Sequence, residues 1–416
     1  MKLLYVSTLD HIVRVMLPHL DGAKAAGYET HVACQFTRFK DDVAAHADGL
    51  HHVPIQRNPL DPRNMLALVQ LVKLIRKLRP DIVHCHNPSG GFYGRLAATL
   101  AKHWLPQTRG RGGLKRVYTA HGFHFHPLGG RLSNALYRAI ESFAGRFLSD
   151  AVLTINQWDF EEAKKLMPPE RVYFTHGVGV STDEFDPATV TTEERQKIRD
   201  ELGVPEDGIL ISTIGELIPR KGHRMLLEAL KQVTMHHHDF CCVIVGDGIL
   251  EPELQQTISK YGLEGVVRLV GFRRDTKQIL AASNIFVFSS LQEGLPCAVQ
   301  EALSMEIPVV ALNIRGCADL LNGLMWWNPR WRRASSVPWW QVLFGGNGTD
   351  IAQAILQLLA HTEPERQKLG RAGRQKMIEH YSRPVCVAEW LEIYNKISPH
   401  SQPPPRVGRR GRGRRV

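Results

Sequence analysis

No stretch of this chain runs to eighteen apolar residues, so no membrane-spanning helix is expected. The start, Met1-Lys2-Leu3-Leu4-Tyr5-Val6-Ser7, is followed at once by Asp10 and His11 and reads as a first β-strand instead of a leader peptide. None of the seven cysteines forms a Cys-x-x-Cys pair, which argues against a cysteine metal site. An odd number that includes the adjacent Cys241 and Cys242 cannot all pair within one chain. Their apolar, strand-like surroundings point to reduced core thiols in a cytosol. Acid is missing from residues 406–416, which hold six arginines; the rest of the chain has 46 basic against 41 acidic residues. That tail, after Pro403-Pro404-Pro405, reads as disordered: a dispensable terminus, or an adhesive for anionic lipid or nucleic acid.

What is present describes a globular α/β protein. A length of 416 residues, 43% hydrophobic and 22% charged, suggests two domains. Apolar runs at Leu3–Val6, Thr30–Cys34, Ile82–Cys85, Arg116–Ala120, Ala151–Ile155 and Val172–Phe174 predict strands separated by helix-length segments, hence a parallel sheet. The polar stretch Asp186 to Gln196 reads as a linker. A second alternation follows, with strands Ile209–Ile214, Cys242–Val245, Val267–Leu269, Ile285–Phe288 and Val309–Ala311. Its helices fall around Arg224–Thr234, Glu251–Lys260 and Thr276–Ala282. A helix over Asn64 to Arg79 places Lys73, Arg76 and Lys77 on one face. It suits either a sheet-covering role with a solvated basic face or contact with anionic headgroups.

One stretch stands out. The strand Ile285–Phe288 ends in Ser289-Ser290, then come Glu293-Gly294-Leu295-Pro296 and an apolar helix carrying Glu301. Ligands bind beyond the carboxyl ends of strands in open α/β sheets, so the turn and the helix can bring both carboxylates to one crevice. Carboxylates accept from sugar hydroxyls, while amides at a helix start receive phosphate. Two solvated glutamates are the bland alternative.

This spacing resembles the retaining nucleotide-sugar glycosyltransferases of family 4, which have the GT-B fold: two doubly wound Rossmann-like domains facing a cleft, with a C-terminal helix crossing back. The likeness runs from Lys2 to about Asn322 and resumes near Asp350. In the N-terminal half it is nearest to bacterial capsule and exopolysaccharide transferases, through His84-Cys85-His86-Asn87-Pro88-Ser89-Gly90-Gly91, Thr119-Ala120-His121-Gly122-Phe123-His124-Phe125 and Thr154-Ile155-Asn156. The resemblance implies an acceptor domain over 1–188, a nucleotide-sugar domain over 189–373, a helix over 374–398 packed back on the first domain, and a basic tail over 399–416.

It also implies roles. His121 lies at the donor sugar, Lys221 at the donor diphosphate and Glu293 at the transferred sugar, while Glu301 accepts from the ribose hydroxyls. Gly215, Arg220, Gly246, Gly248, Val270, Gly271, Gly294, Leu295 and Pro296 complete the donor side. Glu216 stands where most of the family has arginine; it reads as a subgroup feature that removes one phosphate clamp. Asp10, His11, His86, Gly90, Gly91 and His124 face the acceptor, with His84 and His126 beside them. No metal ligands and no cofactor are expected, since the donor is a substrate and no Asp-x-Asp motif occurs.

Leu324 to Gly346 departs from the family pattern: it holds five of the eight tryptophans and reads as a frame disturbance or a lineage-specific insertion. The leading reading is a hexosyl or N-acetylhexosaminyl transferase acting from a nucleotide donor, uridine diphosphate first, onto a lipid-linked glycan in capsule or exopolysaccharide biosynthesis. It would be cytoplasmic and peripheral on the inner face of a bacterial membrane. The alternative is an inactive or weak nucleotide-sugar-binding relative that serves other transferases. A nucleic-acid protein, suggested only by the tail, comes third.

Overall fold

Apolar runs of three to eight residues, too short for helices and bounded by turns, pair side by side in a computed structural model that describes residues 1–102, 113–126, 129–205, 207–321 and 348–398. The tryptophan-rich stretch 324–346 and the tail 399–416 lie outside the described residues.

The first sheet contains β1 (Lys2–Leu9), β2 (Glu29–Gln35), β3 (Gly49–His52), β4 (Ile82–His86), β5 (Lys115–Ala120), β6 (Ala151–Thr154) and β7 (Val172–Phe174), in the order β3-β2-β1-β4-β5-β6-β7. Every pairing is parallel. The second sheet contains β8 (Ile209–Ile214), β9 (Phe240–Val245), β10 (Val267–Leu269), β11 (Ile285–Phe288) and β12 (Val309–Ala311), in the order β10-β9-β8-β11-β12, again parallel. Helices cover both faces of each sheet, and so the central strands are buried along all but their end residues. All strand carboxyl ends of one sheet open on the same side, and the loops that follow them build the site.

Three expectations change. The sequence reading passed over β3 because Gly-Leu-His-His at a sheet edge has neither an apolar run nor alternation. The supposed linker carries the start of a helix, Thr192–Glu201, opened by a capping box between Thr191 and Glu194. The final helix is not continuous from 374. A helix over Glu363–Lys376 passes through a π-turn, Met377–Tyr381, and a second helix, Arg383–Ile397, begins with proline in its first turn. Proline cannot donate to the preceding turn, so the two segments change direction at Ser382.

The Arg383–Ile397 helix packs on the helix Leu17–Ala25 of the first domain. Trp390 and Tyr394 are buried there; the Tyr394 hydroxyl lies 2.5 Å from His84 Nδ1 and 3.2 Å from the Tyr5 hydroxyl. A hydrophobic cluster made of Ile155, Val180 and Phe185 together with Phe286, Leu295, Val299 and Met377 joins the two halves.

Candidate active site

The chain turns sharply after β8. Gly215 N–H donates to Val245 O, Leu217 N–H donates to Asp247 O, and a short 3-10 turn, Pro219–Lys221, delivers Arg220 and Lys221 to the cleft. Gly222 follows at φ +69°, where a Cβ would fall 2.1 Å from the Ser289 carbonyl; only glycine lets this turn press onto the end of β11. The helix His223–Val233 then starts directly after this turn, which leaves its first amides without intrahelical partners.

Glu293 lies opposite. Its Oε1 accepts from Lys221 Nζ at 2.8 Å, Arg220 Nη1 at 2.7 Å and Ser290 Oγ at 3.0 Å. Two cations and one carboxylate therefore share a single point, with a net positive charge at the place where a diphosphate is expected. Gly294 is needed by close approach: a Cβ there would meet the His121 carbonyl at 1.9 Å, so the acidic turn of one domain rests on the histidine loop of the other. Asn156 Nδ2 donates to Gly294 O at 3.1 Å from the first domain, and this fixes the contact.

His121 follows β5 and lines a cavity of about 580 Å³ with Glu293, Arg220, His124 and Arg315. Burial pulls its imidazole down to about 4, so it is neutral at pH 7. Its Nε2 lies 3.3 Å from His86 Nδ1. His86 is fully buried, stacked 5.1 Å from Tyr5 and 5.8 Å from Trp390, and its own Nε2 has no partner among the described residues.

Glu301, on the helix Cys297–Ser304, stands apart from that cavity; its charge and that of Glu293 both act on the Cys297 thiol. Desolvation first, then the Glu301 and Glu293 carboxylates, push the Cys297 thiol up to about 12. Burial first, then Glu184, raise the Glu301 carboxyl to about 7, with Arg383 opposing. Val270 and Gly271 follow the edge strand β10. The Gly271 carbonyl accepts from Gly246 N–H, so these two loops and Gly248 form one rim of the second sheet, away from the cavity lining. Glu216 is exposed at the start of the turn.

Several sequence-level expectations are corrected. Asp10 is buried; burial alone would raise its carboxyl. The amides of Thr37, Arg38 and Phe39 and the Thr37 hydroxyl outweigh that and hold it below its ordinary range. It ties down a loop and offers no oxygen to an acceptor. Gly90 and Gly91 face the sheet: added Cβ atoms would meet the Ser7 backbone at 3.1 Å and the Tyr118 ring at 2.4 Å. His86 supports His121 from the core and does not reach the acceptor side. Leu295 and Pro296 are buried, Leu295 within the interdomain cluster, so their side chains anchor the turn. His11 remains exposed, close to Arg57.

Arg315 escaped the sequence reading. It opens the helix Arg315–Leu321 just beyond β12, its Nη1 lies 2.7 Å from Asp159 Oδ1, and its Nη2 donates to Phe123 O. Gln157 N–H at the start of the helix Gln157–Leu166 also donates to Asp319 Oδ2 at 2.6 Å. Both contacts cross between domains. Its position after a strand's carboxyl end was the available signal. No cluster of three metal-ligating side chains occurs among the described residues.

Residues 12–178 match the family described as Glycosyltransferase Family 4, and residues 194–324 match Glycosyl transferases group 1. EpsD of Bacillus subtilis (strain 168), named as a glycosyltransferase, is 32% identical over 402 residues, 95% of this chain and 96% of its own. The UDP-Gal:alpha-D-GlcNAc-diphosphoundecaprenol alpha-1,3-galactosyltransferase of Escherichia coli is 32% identical over 61% of this chain and 63% of its own length. In fold, the chain is similar to Alr3699/HepE from Anabaena in complex with UDP, with a TM-score of 0.74 at 18% identity, covering 95% of this chain and all of the other.

Proposed function

This chain belongs to the family 4 glycosyltransferases of the GT-B fold, and from that premise we propose that it moves a hexosyl or N-acetylhexosaminyl group from a uridine diphosphate donor to a lipid-linked glycan, with retention of anomeric configuration and without a metal. The observation that carries the reading is the convergence of Lys221 and Arg220 on Glu293 Oε1, across the cleft from His121. A diphosphate arriving here meets two cations and the amides at the start of the His223–Val233 helix. As negative charge accumulates on the leaving nucleoside diphosphate, Lys221 and Arg220 transfer their hydrogen bonds from Glu293 to phosphate oxygens. Glu293, so released, is free to accept from hydroxyls of the sugar.

His121 acts as a neutral donor. Were His86 to carry its proton on Nε2, an orphan N–H would be buried; with the proton on Nδ1, only a lone pair is left unmatched, which costs less. His86 Nδ1–H then donates to His121 Nε2, and His121 presents Nδ1–H to the sugar. Glu301 is assigned to the ribose and the Val270–Gly271 turn to the base. The uridine donor and the diphosphate-lipid acceptor are supported by the UDP complex of HepE and by the names of relatives acting on diphosphoundecaprenol acceptors. Such an acceptor would hold the enzyme at the inner face of a cell membrane.

The test is thermal stabilisation of purified protein by a panel of nucleotide sugars, then turnover of the stabilising donor with a polyprenyl-diphosphate glycan. Stabilisation by UDP-sugars and transfer of the sugar are expected. A chain that none of the panel stabilises would end the reading.

A further inference from the structure

Four helices cover one face of the first sheet: Arg63–Leu78, Pro88–Lys102, Arg131–Phe147 and Gln157–Leu166. The topology requires this. The chain moves in one direction from β3 across to β4, β5, β6 and β7, and right-handed crossovers place all the intervening helices on the same side. Their composition is unusual in sign. Across the first three, Glu141 is the only acidic residue, and it is buried against Arg95; on the fourth, Asp159 and Glu162 are buried and the exposed Glu161 lies 3.0 Å from Lys164. Arg63, Lys73, Arg76, Lys77, Lys102, Arg131 and Arg146 are exposed on the same helices.

The outward surface is also apolar. The Arg131–Phe147 helix buries only Glu141, Ala144 and Gly145. Leu132 is 86% exposed, Leu136 59%, Phe143 51% and Phe147 62%, with Ile140 between them. Spacings of four, four, three and four residues put these five on one stripe along the helix. Met65, Leu66 and Val69 are exposed in the first half of the Arg63–Leu78 helix, whose last turns carry Lys73, Arg76 and Lys77. A monomeric soluble surface rarely leaves a continuous stripe of this kind uncovered. Another edge of the Arg131–Phe147 helix, through Ser133, Asn134 and Tyr137, lines the cavity that holds His121 and Glu293.

We infer that this helical face is a docking surface for an anionic phospholipid bilayer, with the apolar stripe of Arg131–Phe147 entering the headgroup boundary and the surrounding arginines and lysines lying on lipid phosphates. Absence of exposed acid on Arg63–Leu78, Pro88–Lys102 and Arg131–Phe147 selects an anionic surface, and the stripe adds burial that salt does not screen. Docked this way, the mouth of the cleft sits at headgroup level, the depth of a lipid-borne diphosphate. The idea deepens the proposed acceptor class and rests on it only for that last step.

The experiment sediments the full-length protein with vesicles of phosphatidylglycerol and phosphatidylethanolamine, at low and at molar salt, beside vesicles of phosphatidylcholine. Binding to the anionic vesicles is expected, weakened but not abolished by molar salt, with little on phosphatidylcholine. Leu132→Ser/Leu136→Ser/Phe147→Ser preserves charge and changes only exposed positions. It should bind at least about tenfold more weakly and lose the salt-resistant fraction, with unchanged circular dichroism. Leu132→Ser alone, at the most exposed site, should show a smaller loss of the same kind. Lys73→Gln/Arg76→Gln/Lys77→Gln should weaken binding at low salt alone. The proposal is overturned if wild type ignores anionic vesicles, if it binds phosphatidylcholine equally, or if the serine variant binds like wild type. A vesicle-free dimer that the serine variant dissociates would overturn it too, since the stripe would then cover a second copy. Stabilisation by UDP, measured without lipid, is a separate readout: its loss with vesicle binding intact would remove the enzymatic reading and leave this one standing.

Discussion

At the scale of single residues, Lys221 and Arg220 are both engaged by one oxygen of Glu293, so a donor diphosphate must compete for them. Lys221 is the better placed to follow developing charge, because its Nζ also lies 5.4 Å from the Phe288 ring centroid in a less exposed position than Arg220. Lys221→Ala is expected to lower kcat by roughly 10²–10³-fold, the scale of a lost oxyanion contact, with a smaller change in donor affinity. Steady-state kinetics on the identified donor would check this; equal turnover in the variant would remove Lys221 from the mechanism. Glu301 gives a pH signature. Its carboxyl ionises near 7 in the folded chain against 4.5 ordinarily, so the folded state holds the proton more tightly. Its contribution to stability is therefore complete below about pH 4.5 and is lost as pH rises through about 7. Glu301→Gln should be more thermostable than wild type at pH 8, by no more than about 3 kcal/mol, and nearly equal near pH 4.5. Donor affinity should rise through pH 7 in wild type and stay flat in the glutamine variant, since only the carboxylate gains acceptor strength on ionising.

At the scale of elements, the returning helix Arg383–Ile397 does more than cover the first domain. Its Tyr394 hydroxyl bonds to His84, whose other nitrogen lies 2.7 Å from the Thr119 hydroxyl on β5, one strand residue before Ala120 and His121. Trp390 stacks on His86, which in turn holds His121. The last helix thus reaches the candidate catalytic histidine through two layers of buried rings. Tyr394→Phe leaves a His84 nitrogen unpartnered and should cost about 1–3 kcal/mol, visible as a lower thermal midpoint. A Tyr394→Phe chain as stable as wild type would show that the hydroxyl carries no net stabilisation.

At the scale of the whole molecule, a buried ion pair joins the hydrophobic cluster in holding the two domains together. Arg315 and Asp159 are both buried, so removing one partner strands a charge. Arg315→Ala should destabilise by about 3–5 kcal/mol, and Arg315→Ala/Asp159→Asn should recover part of that loss in a double-mutant cycle. Additive losses in the cycle would show the two residues to be uncoupled. Charge at the cleft bears on the reaction as a whole. With Lys221, Arg220 and helix-start amides supplying positive field, transfer should persist in excess chelator and give a product with the donor's anomeric configuration. Chelator-abolished transfer restored by magnesium or manganese would show that these groups leave a charge deficit that a metal fills.

The chain's own order of residues was enough to determine the two parallel sheets, because buried strands of three to eight apolar residues are a local signal that tertiary context does not reverse. It also located the turn at Glu293 and the turn at Lys221, since strand ends followed by glycine mark where a doubly wound sheet binds ligands. What side chains do there depended on contacts from far along the chain. Asp10, Gly90, Gly91 and His86 sit in stretches that look like cleft loops, yet their atoms are spent on a neighbouring loop, on Ser7 and Tyr118, and on His121. β3 was illegible because an edge strand needs no apolar face. Arg315 was illegible because its partner lies 156 residues away. The exposed stripe on Arg131–Phe147 has the same origin: periodicity marks an apolar face, but only packing decides whether that face looks inward or out.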